Sequence, residues 1–151
     1  ERWGMRAALY RVSPDSVSMA PDEQTLVDFK VRVLSTTDNT FLALGLGWEQ
    51  DQFGAEGDAS GPRIMAEGRL GVLGFLRLYA EAGWAPYLGD VGSRRDLSLI
   101  SVETGFVLDP FPFVDLRLGW RYQITDYTGV ITGSAASEGS YGVLLGGGIH
   151  W

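Results

Sequence analysis

Cysteine is absent from this chain of 151 residues, lysine occurs only as Lys30, and histidine occurs only as His150. The lack of cysteine excludes disulfides, zinc–thiolate sites and thiol catalysis, although it assigns no cellular compartment. No run approaches the roughly 18 consecutive apolar residues of a transmembrane helix, so the sequence excludes membrane-spanning helices. The net charge of −7 argues against nucleic-acid binding, which selects for basic patches.

The chain is rich in stretches that alternate apolar and polar residues with a period of two. Between 114 and 124, Val, Leu, Leu, Trp, Tyr and Ile alternate with Asp, Arg, Gly, Arg and Gln. Successive side chains of a β-strand point to opposite faces, so each stretch forms a strand with one apolar and one ionic face. Helical periodicity is absent. The predicted strands are 2–11, 26–35, 41–50, 63–72, 76–86, 97–108, 113–124 and 140–151.

The connections between these strands alternate between short and long. Short turns are predicted at 36–40, 73–75 and 109–112, and long polar loops at 12–25, 51–62, 87–96 and 125–139. This layout is typical of outer-membrane barrels, which have short periplasmic turns and longer outside loops. We therefore predict an all-β fold, an eight-stranded antiparallel up-and-down transmembrane β-barrel, as a single domain over residues 1–151. No signal peptide is visible, and Glu1 is compatible with a terminus created by cleavage.

The polar face of the predicted strands carries eight basic and six acidic residues, whereas the rest of the chain holds four basic and thirteen acidic residues, largely in the loops. Near balance of charge, interleaved with glycine, predicts a narrow lumen in which arginines cross the barrel to meet carboxylates. Asp28, Glu49 and Arg63 share this face. The predicted lumen charge network comprises Arg6, Lys30, Arg32, Glu67, Arg69, Arg77, Glu81, Glu103, Asp115, Arg117 and Arg121.

The apolar face carries aromatic residues near both ends of an aliphatic band. Two such belts are typical of a barrel that crosses a bilayer, and each stretch has the roughly ten residues that a tilted strand needs. The alternatives are a soluble barrel of the lipocalin kind, whose small interior poorly accommodates this many tryptophans, and a soluble β-sandwich, whose loops would not alternate in length. The predicted membrane-interface aromatics are Trp3, Trp48, Trp84, Trp120, Tyr122, Tyr141 and Trp151.

The chain resembles the small eight-stranded bacterial outer-membrane β-barrels, of the OmpA transmembrane-domain and OmpX type. The resemblance covers the whole chain and is most specific at the C-terminus, where Trp151 ends an alternating series that Gly147 interrupts. It implies integral insertion in a Gram-negative outer membrane, contact with lipid and lipopolysaccharide, and recognition of the last strand by the barrel-assembly machinery. It implies no activity, because fold alone does not set function.

Residues that could carry chemistry are few. The resemblance places the catalytic histidine of outer-membrane lipid A enzymes towards the outer leaflet, whereas His150 is predicted at the opposite rim, as a hydrogen-bonded lumen residue. Glu67, Glu81 and Glu103 are carboxylates with arginines on neighbouring strands, which favours ion pairs over general acid–base roles. The acidic loop 51–60 lacks the spacing of a calcium loop. We predict no cofactor, no metal site and no enzymatic activity.

Three functional classes remain open on the sequence. The first is a structural, adhesion or partner-anchoring role through the acidic long loops, since loops carry recognition while the barrel positions them. The second is a narrow, porin-like pore for ions or small solutes. The third, a lipid-modifying enzyme, would need reactive lumen residues at the outer rim.

Overall fold

The computed structural model describes residues 3–11, 21–111 and 114–149, and the side chains of 110, 111, 114, 115 and 147–149 also lie outside the described set. Eight strands account for most of this chain, with one short 3-10 helix, Gly54–Glu56, between the third and the fourth. The strands are β1 (Trp3–Arg11), β2 (Glu23–Thr37), β3 (Thr40–Gln52), β4 (Asp58–Leu73), β5 (Leu76–Val91), β6 (Arg94–Phe111), β7 (Val114–Gly129) and β8 (Ala135–Ile149).

Each strand pairs antiparallel with the next one in sequence, in the order β1 to β8, so the sheet is an up-and-down meander. The sheet curls into a half-barrel, and within the described residues no ladder joins β8 to β1. The outward residues of β8, such as Val143 and Leu145, are accordingly more exposed than those of the central strands. The predicted all-β class, strand number and strand order are confirmed. In the described ranges, no helix is long and apolar enough to cross a membrane.

The predicted long loops are wrong in extent. β3 continues to Gln52 and β4 begins at Asp58, which leaves only 53–57 as a connection instead of 51–62. The other two described connections at this end are 92–93 and 130–134, where loops at 87–96 and 125–139 were expected. We call this end of the sheet the loop end, and the opposite end, with turns at 38–39 and 74–75, the turn end. The predicted loop 12–25 and turn 109–112 fall partly on residues outside the described set.

The strands extend at the loop end because their inward residues there are apolar. Leu88, Leu97 and Leu99 are almost completely buried, and their cluster includes Phe53. This cluster gives the paired strand ends a small hydrophobic core. Their polar side chains lie on the outside, and their backbone groups stay paired in the ladder hydrogen bonds. The half-barrel therefore has an apolar cluster at the loop end, where Gln24, Asp51 and Arg94 are also buried, and a charged interior farther down. The buried members are Phe53, Ala59, Ala85, Leu88, Val91, Leu97 and Leu99, with Tyr127 packed against them.

The substitution Leu97→Ala removes a side chain that has no exposed surface. It is expected to destabilise the folded protein by about 2–5 kcal/mol, because the lost contacts leave a cavity. The matched control is Ile131→Ala at the tip of the β7–β8 hairpin, where the side chain is 92% exposed and the expected effect is below about 0.5 kcal/mol. Chemical denaturation compares the two variants. Equal effects would show that the loop-end cluster does not hold the hairpins together.

Candidate functional site

The charged face of the sheet lies inside the curl and the apolar face lies outside. Asp28, Glu49, Glu67 and Arg63 have at most 1% of their surface exposed, whereas Leu46 on the opposite face of β3 is 68% exposed. This arrangement inverts the usual rule that charged residues lie outside and apolar ones inside. Buried charges are tolerated only when they are paired, so the interior has to be an ion-pair network.

Arg63 of β4 is the centre of the first part of the network. Its guanidinium lies 3.4 Å from the Asp28 carboxylate, 3.8 Å from that of Glu49 and 3.3 Å from that of Glu81. These carboxylates come from β2, β3 and β5, so one arginine ties four strands together. Arginine suits this position because its planar fork carries five donors and stays charged when buried. The side chain has space only because residue 83 is glycine, where a Cβ would lie 2.2 Å from Arg63 Nη2.

Glu103 of β6 is the centre of the second part. It accepts hydrogen bonds from the Tyr79 hydroxyl at 2.7 Å and the Tyr10 hydroxyl at 2.9 Å. Arg121 and Arg6 lie 3.6 and 3.7 Å from its oxygens, and Arg6 also pairs with Glu81. The Arg121 guanidinium stacks over the Tyr10 ring at 4.5 Å. Contacts between β1 and β6 thus cross the interior rather than running along the sheet, and they stabilise its curl from within.

The register of the sheet makes these cations necessary. Glu67, Glu81 and Glu103 stand side by side on β4, β5 and β6, and Arg121 completes the row on β7. Like charges directly opposite each other on neighbouring strands are destabilising. Cations that reach in from β1 and β4 are therefore what makes the burial of three neighbouring glutamates possible.

Glu67 of β4 is the centre of the third part. Lys30 and Arg69 each form an ion pair with one of its oxygens, and Arg117 is close enough to interact electrostatically with it. Arg117 also lies over the Tyr79 ring at 5.5 Å. Arg32 stands apart from the carboxylates, because its guanidinium lies over the Phe41 ring at 4.2 Å.

Among the described side chains, the structure thus brings seven of the sequence-predicted network residues into one set of ion pairs in the interior. Arg77 forms a separate pair with Asp109 at the turn end, and the side chain of Asp115 lies outside the described set. The residues in mutual ion pairs are Arg6, Lys30, Glu67, Arg69, Glu81, Glu103 and Arg121, joined by Asp28, Glu49 and Arg63.

The sequence-predicted aromatics all lie on the outward face where they are described. Trp48, Trp84, Trp120 and Tyr122 are about half exposed, and Trp120 stacks on Tyr141 with 5.7 Å between ring centroids. Trp3 is exposed on β1 and stacks on Phe29. Trp151 and His150 lie outside the described residues.

Sequence reasoning missed the polar residues that complete the interior. Tyr10 and Tyr79 have the same strand parity as Arg6 and Glu81, so the alternation itself could have placed them inside. Asp51 was assigned to a loop, whereas it continues the inward series of β3 and accepts a hydrogen bond from Gln24 at 3.0 Å. Asp51 could have been assigned to the interior, because it follows Glu49 at the strand period of two.

The inward carboxylate of Asp51 lies at the loop end of β3, beyond the exposed Trp48 of the same strand. Burial, and to a lesser degree the nearby Glu49 carboxylate, raise the pKa of Asp51 to about 8, against the opposing effect of the hydrogen bond from the Gln24 amide. The folded protein therefore holds a proton on Asp51 in neutral solution.

Through its ion pairs, the interior can hold the strands in a fixed arrangement. Among the described side chains, no group of three or more histidine, aspartate or glutamate residues has the geometry to hold a metal ion. No protein-family model, curated protein or solved structure matches this chain. Function therefore has to be argued from the two faces of the sheet.

Replacing Glu103 by glutamine is expected to destabilise the protein by about 3 kcal/mol, because Arg6 and Arg121 lose a buried counter-charge. The matched control is Glu23→Gln, which breaks the exposed pair with Arg11 at 3.4 Å and is expected to cost less than about 1 kcal/mol. Denaturant midpoints of the two variants make the comparison. A Glu103 variant as stable as the control would mean that the network contributes nothing to stability.

The free energy of unfolding is expected to fall as the pH rises from about 4 to about 8, with Asp51 as one contributor. The unfolded carboxyl ionises near 3.8 and the folded one near 8, so the stability present below pH 4 is lost as the pH rises through the folded pKa. Asp51→Asn should flatten this slope, whereas Asp58→Asn on the exposed face of β4 should preserve it. Denaturation at several pH values tests this, and an unchanged slope in the Asp51 variant would contradict it.

Proposed function

We propose that this protein is an integral β-barrel of a bacterial outer membrane, with a structural, adhesion or partner-anchoring role through its loop end. The observation that carries the proposal is the inverted polarity of the sheet, with paired charges inside and an exposed apolar face outside. An apolar surface of this extent would drive aggregation in water, whereas hydrocarbon is its natural solvent.

The proposal also accounts for the unpaired edges of the half-barrel. Lipid offers no hydrogen-bond partners to an exposed strand edge, so only closed barrels cross membranes with strands. In the bilayer, β1 and β8 pair with each other and complete the cylinder. The ion pairs from Arg6 to Glu81 and Glu103 already hold β1 across the interior from β5 and β6, as closure requires.

The polarity of the outer face changes along a single strand. On β3, the outward residues Leu42, Leu44, Leu46 and Trp48 are followed by Gln50 and Gln52. The inward residues change in the opposite sense, from the charges of Glu49 and Asp51 to the buried ring of Phe53. The outward residues thus become polar where the inward residues become apolar, which supports a bilayer boundary just beyond Trp48. The part of the sheet beyond this boundary faces water and has the polarity of a soluble protein. Tryptophan is the residue that favours such a boundary.

A shallow hollow of about 670 Å³ lies on the outer face and crosses β2 to β6. Its walls are carbon-rich, with bulky side chains around the small residues Ala66 and Ala82. In the proposed orientation, lipid acyl chains fill this hollow. No protein partner is needed to explain it.

In the proposed orientation, the loop end projects from the membrane into water. Its outward residues include Asp58, Asp90, Asp96 and Asp126, so the extension is an acidic, water-facing platform. Recognition of lipopolysaccharide through divalent cations, or of a protein partner, would take place here. The assembly machinery would act at the C-terminal strand, as the resemblance implies.

The structure favours this anchoring role over a pore. The apolar cluster around Leu97 fills the interior at the loop end, and the charged interior below it is crossed by ion pairs. An ion would have to pass this apolar cluster as well as the paired charges. A lipid-modifying enzyme is not favoured by any described group, since the carboxylates near the boundary are held by arginines or, for Asp51, by Gln24.

Replacing Leu46 by lysine is expected to destabilise the barrel in phospholipid vesicles by about 2–4 kcal/mol, because the charge enters the hydrocarbon layer. The matched control is Gln52→Lys, on the same face of β3 but beyond Trp48, where the expected cost is at most about 1 kcal/mol. Unfolding from vesicles is followed by tryptophan fluorescence. Equal behaviour of the two variants, or a wild-type chain that stays folded and dispersed without lipid or detergent, would refute membrane insertion.

A further inference from the structure

Two carboxylates and two guanidinium groups in the interior carry polar atoms that no side chain pairs with. Asp28 and Glu49 have no exposed surface, and Arg63 and Arg121 are at least nine-tenths buried. Among the described side chains, the buried atoms of this group that lack a hydrogen-bond partner are Asp28 Oδ1 and Oδ2, Glu49 Oε1 and Oε2, Arg63 Nε and Nη1, and Arg121 Nε and Nη2. Buried polar atoms are normally hydrogen-bonded, so these atoms point to a ligand. We call the four residues the interior quartet.

The distances within the interior quartet are longer than those of direct hydrogen bonds. Arg63 Nη1 lies 3.8 Å from Glu49 Oε2, and Arg121 Nη2 lies 3.9 Å from Glu49 Oε1. Arg63 Nε lies 3.4 Å from Asp28 Oδ1, whereas a charge-assisted hydrogen bond is usually about 2.7–2.9 Å long. Polar contacts longer than about 3.5 Å are the ones that a small molecule such as water bridges.

The unmatched atoms restrict the chemistry of the ligand. A cation would satisfy the carboxylate oxygens, but it would leave the guanidinium N–H groups unpaired and would be repelled by them. An anion would have the opposite defect. Only a molecule that both donates and accepts hydrogen bonds can serve both sets, and water is the smallest of these. A buried water makes about three hydrogen bonds, so the unmatched atoms of the interior quartet correspond to roughly three waters.

The interior also has room for such a ligand beside Arg121. Gly142 of β8 stands directly opposite Arg121 in the β7–β8 ladder, and directly opposed residues share one face of a sheet. A Cβ at Gly142 would meet no atom within 4 Å, so open space adjoins the position. Other inward glycines are crowded, since a Cβ at Gly45 would lie 2.9 Å from the Met65 sulphur.

We propose that the interior quartet is a binding site for structural water, which extends past Arg121 into the open space at Gly142. The bound waters complete the hydrogen bonds of both guanidinium groups and link Glu49 to each of them. They thereby join β2, β3, β4 and β7 through the interior. The site is formed by interior groups alone, so it stands or falls independently of membrane insertion.

The first test detects the water directly, by nuclear magnetic resonance of the wild-type full chain folded in neutral detergent. Nuclear Overhauser transfer from water to the Hα protons of Gly142 is expected, with the sign that distinguishes a bound water from bulk solvent. The Hα protons of Gly45 are the matched reference, because the Met65 side chain occupies the space beside them. Transfer to Gly142 and not to Gly45 supports the site. Transfer at neither position, or equal transfer at both, overturns it.

The second test counts long-lived waters by ¹⁷O relaxation dispersion of the solvent. Gly142→Val fills the open space and is expected to remove at least one of the roughly three waters. Gly68→Val is the matched control, because a Cβ there also meets no atom within 4 Å, but on the outward face of β4. A loss in Gly142→Val alone supports the site, and equal counts in the two variants overturn it. The wild-type transfer experiment decides the point even where Gly142→Val fails to fold.

Discussion

The structure depends on one constraint, which is that charges placed inside the curled sheet have to find partners there. Five carboxylates and five cations from β1 to β7 meet in mutual ion pairs. Desolvation of a single ion costs several kcal/mol, so the network is stable only as a set. Curvature, register and the placement of glycine all follow from this requirement, as the contact between Gly83 and Arg63 shows.

The outer face obeys the complementary constraint. Its aliphatic and aromatic side chains point away from the interior, which the ion pairs occupy. Only an environment outside the sheet can therefore remove them from water. The change from Trp48 to Gln50 on β3 limits the height of this apolar band. Beyond that height the protein returns to the usual arrangement, with leucine inside and aspartate outside, as Leu97 and Asp96 illustrate. Under the proposed membrane insertion, lipid and water therefore contact different heights of one continuous sheet.

Most of the fold was predictable because a period of two is a strong signal when the two faces differ in charge. The same alternation could have assigned Tyr10 and Tyr79 to the interior, since they share the parity of charged neighbours. The strand ends were harder to predict. At Leu97 and Leu99 the inward face becomes apolar, so a pattern that identifies the interior by its charge fails there. Pairing geometry also lay beyond prediction, because the partner of Arg63 depends on the curvature of the whole sheet.

The long reach of Arg6 has a consequence for how the chain folds. Every ladder joins sequence neighbours, so strands can add one after another at low cost in chain entropy. The Arg6 pair with Glu81 spans 75 residues instead, and Arg6 remains hydrated until β5 has been added. In a chain that adds its strands in sequence order, the burial of Arg6 therefore follows the addition of β5, and its pair with Glu81 forms only once the meander has curled.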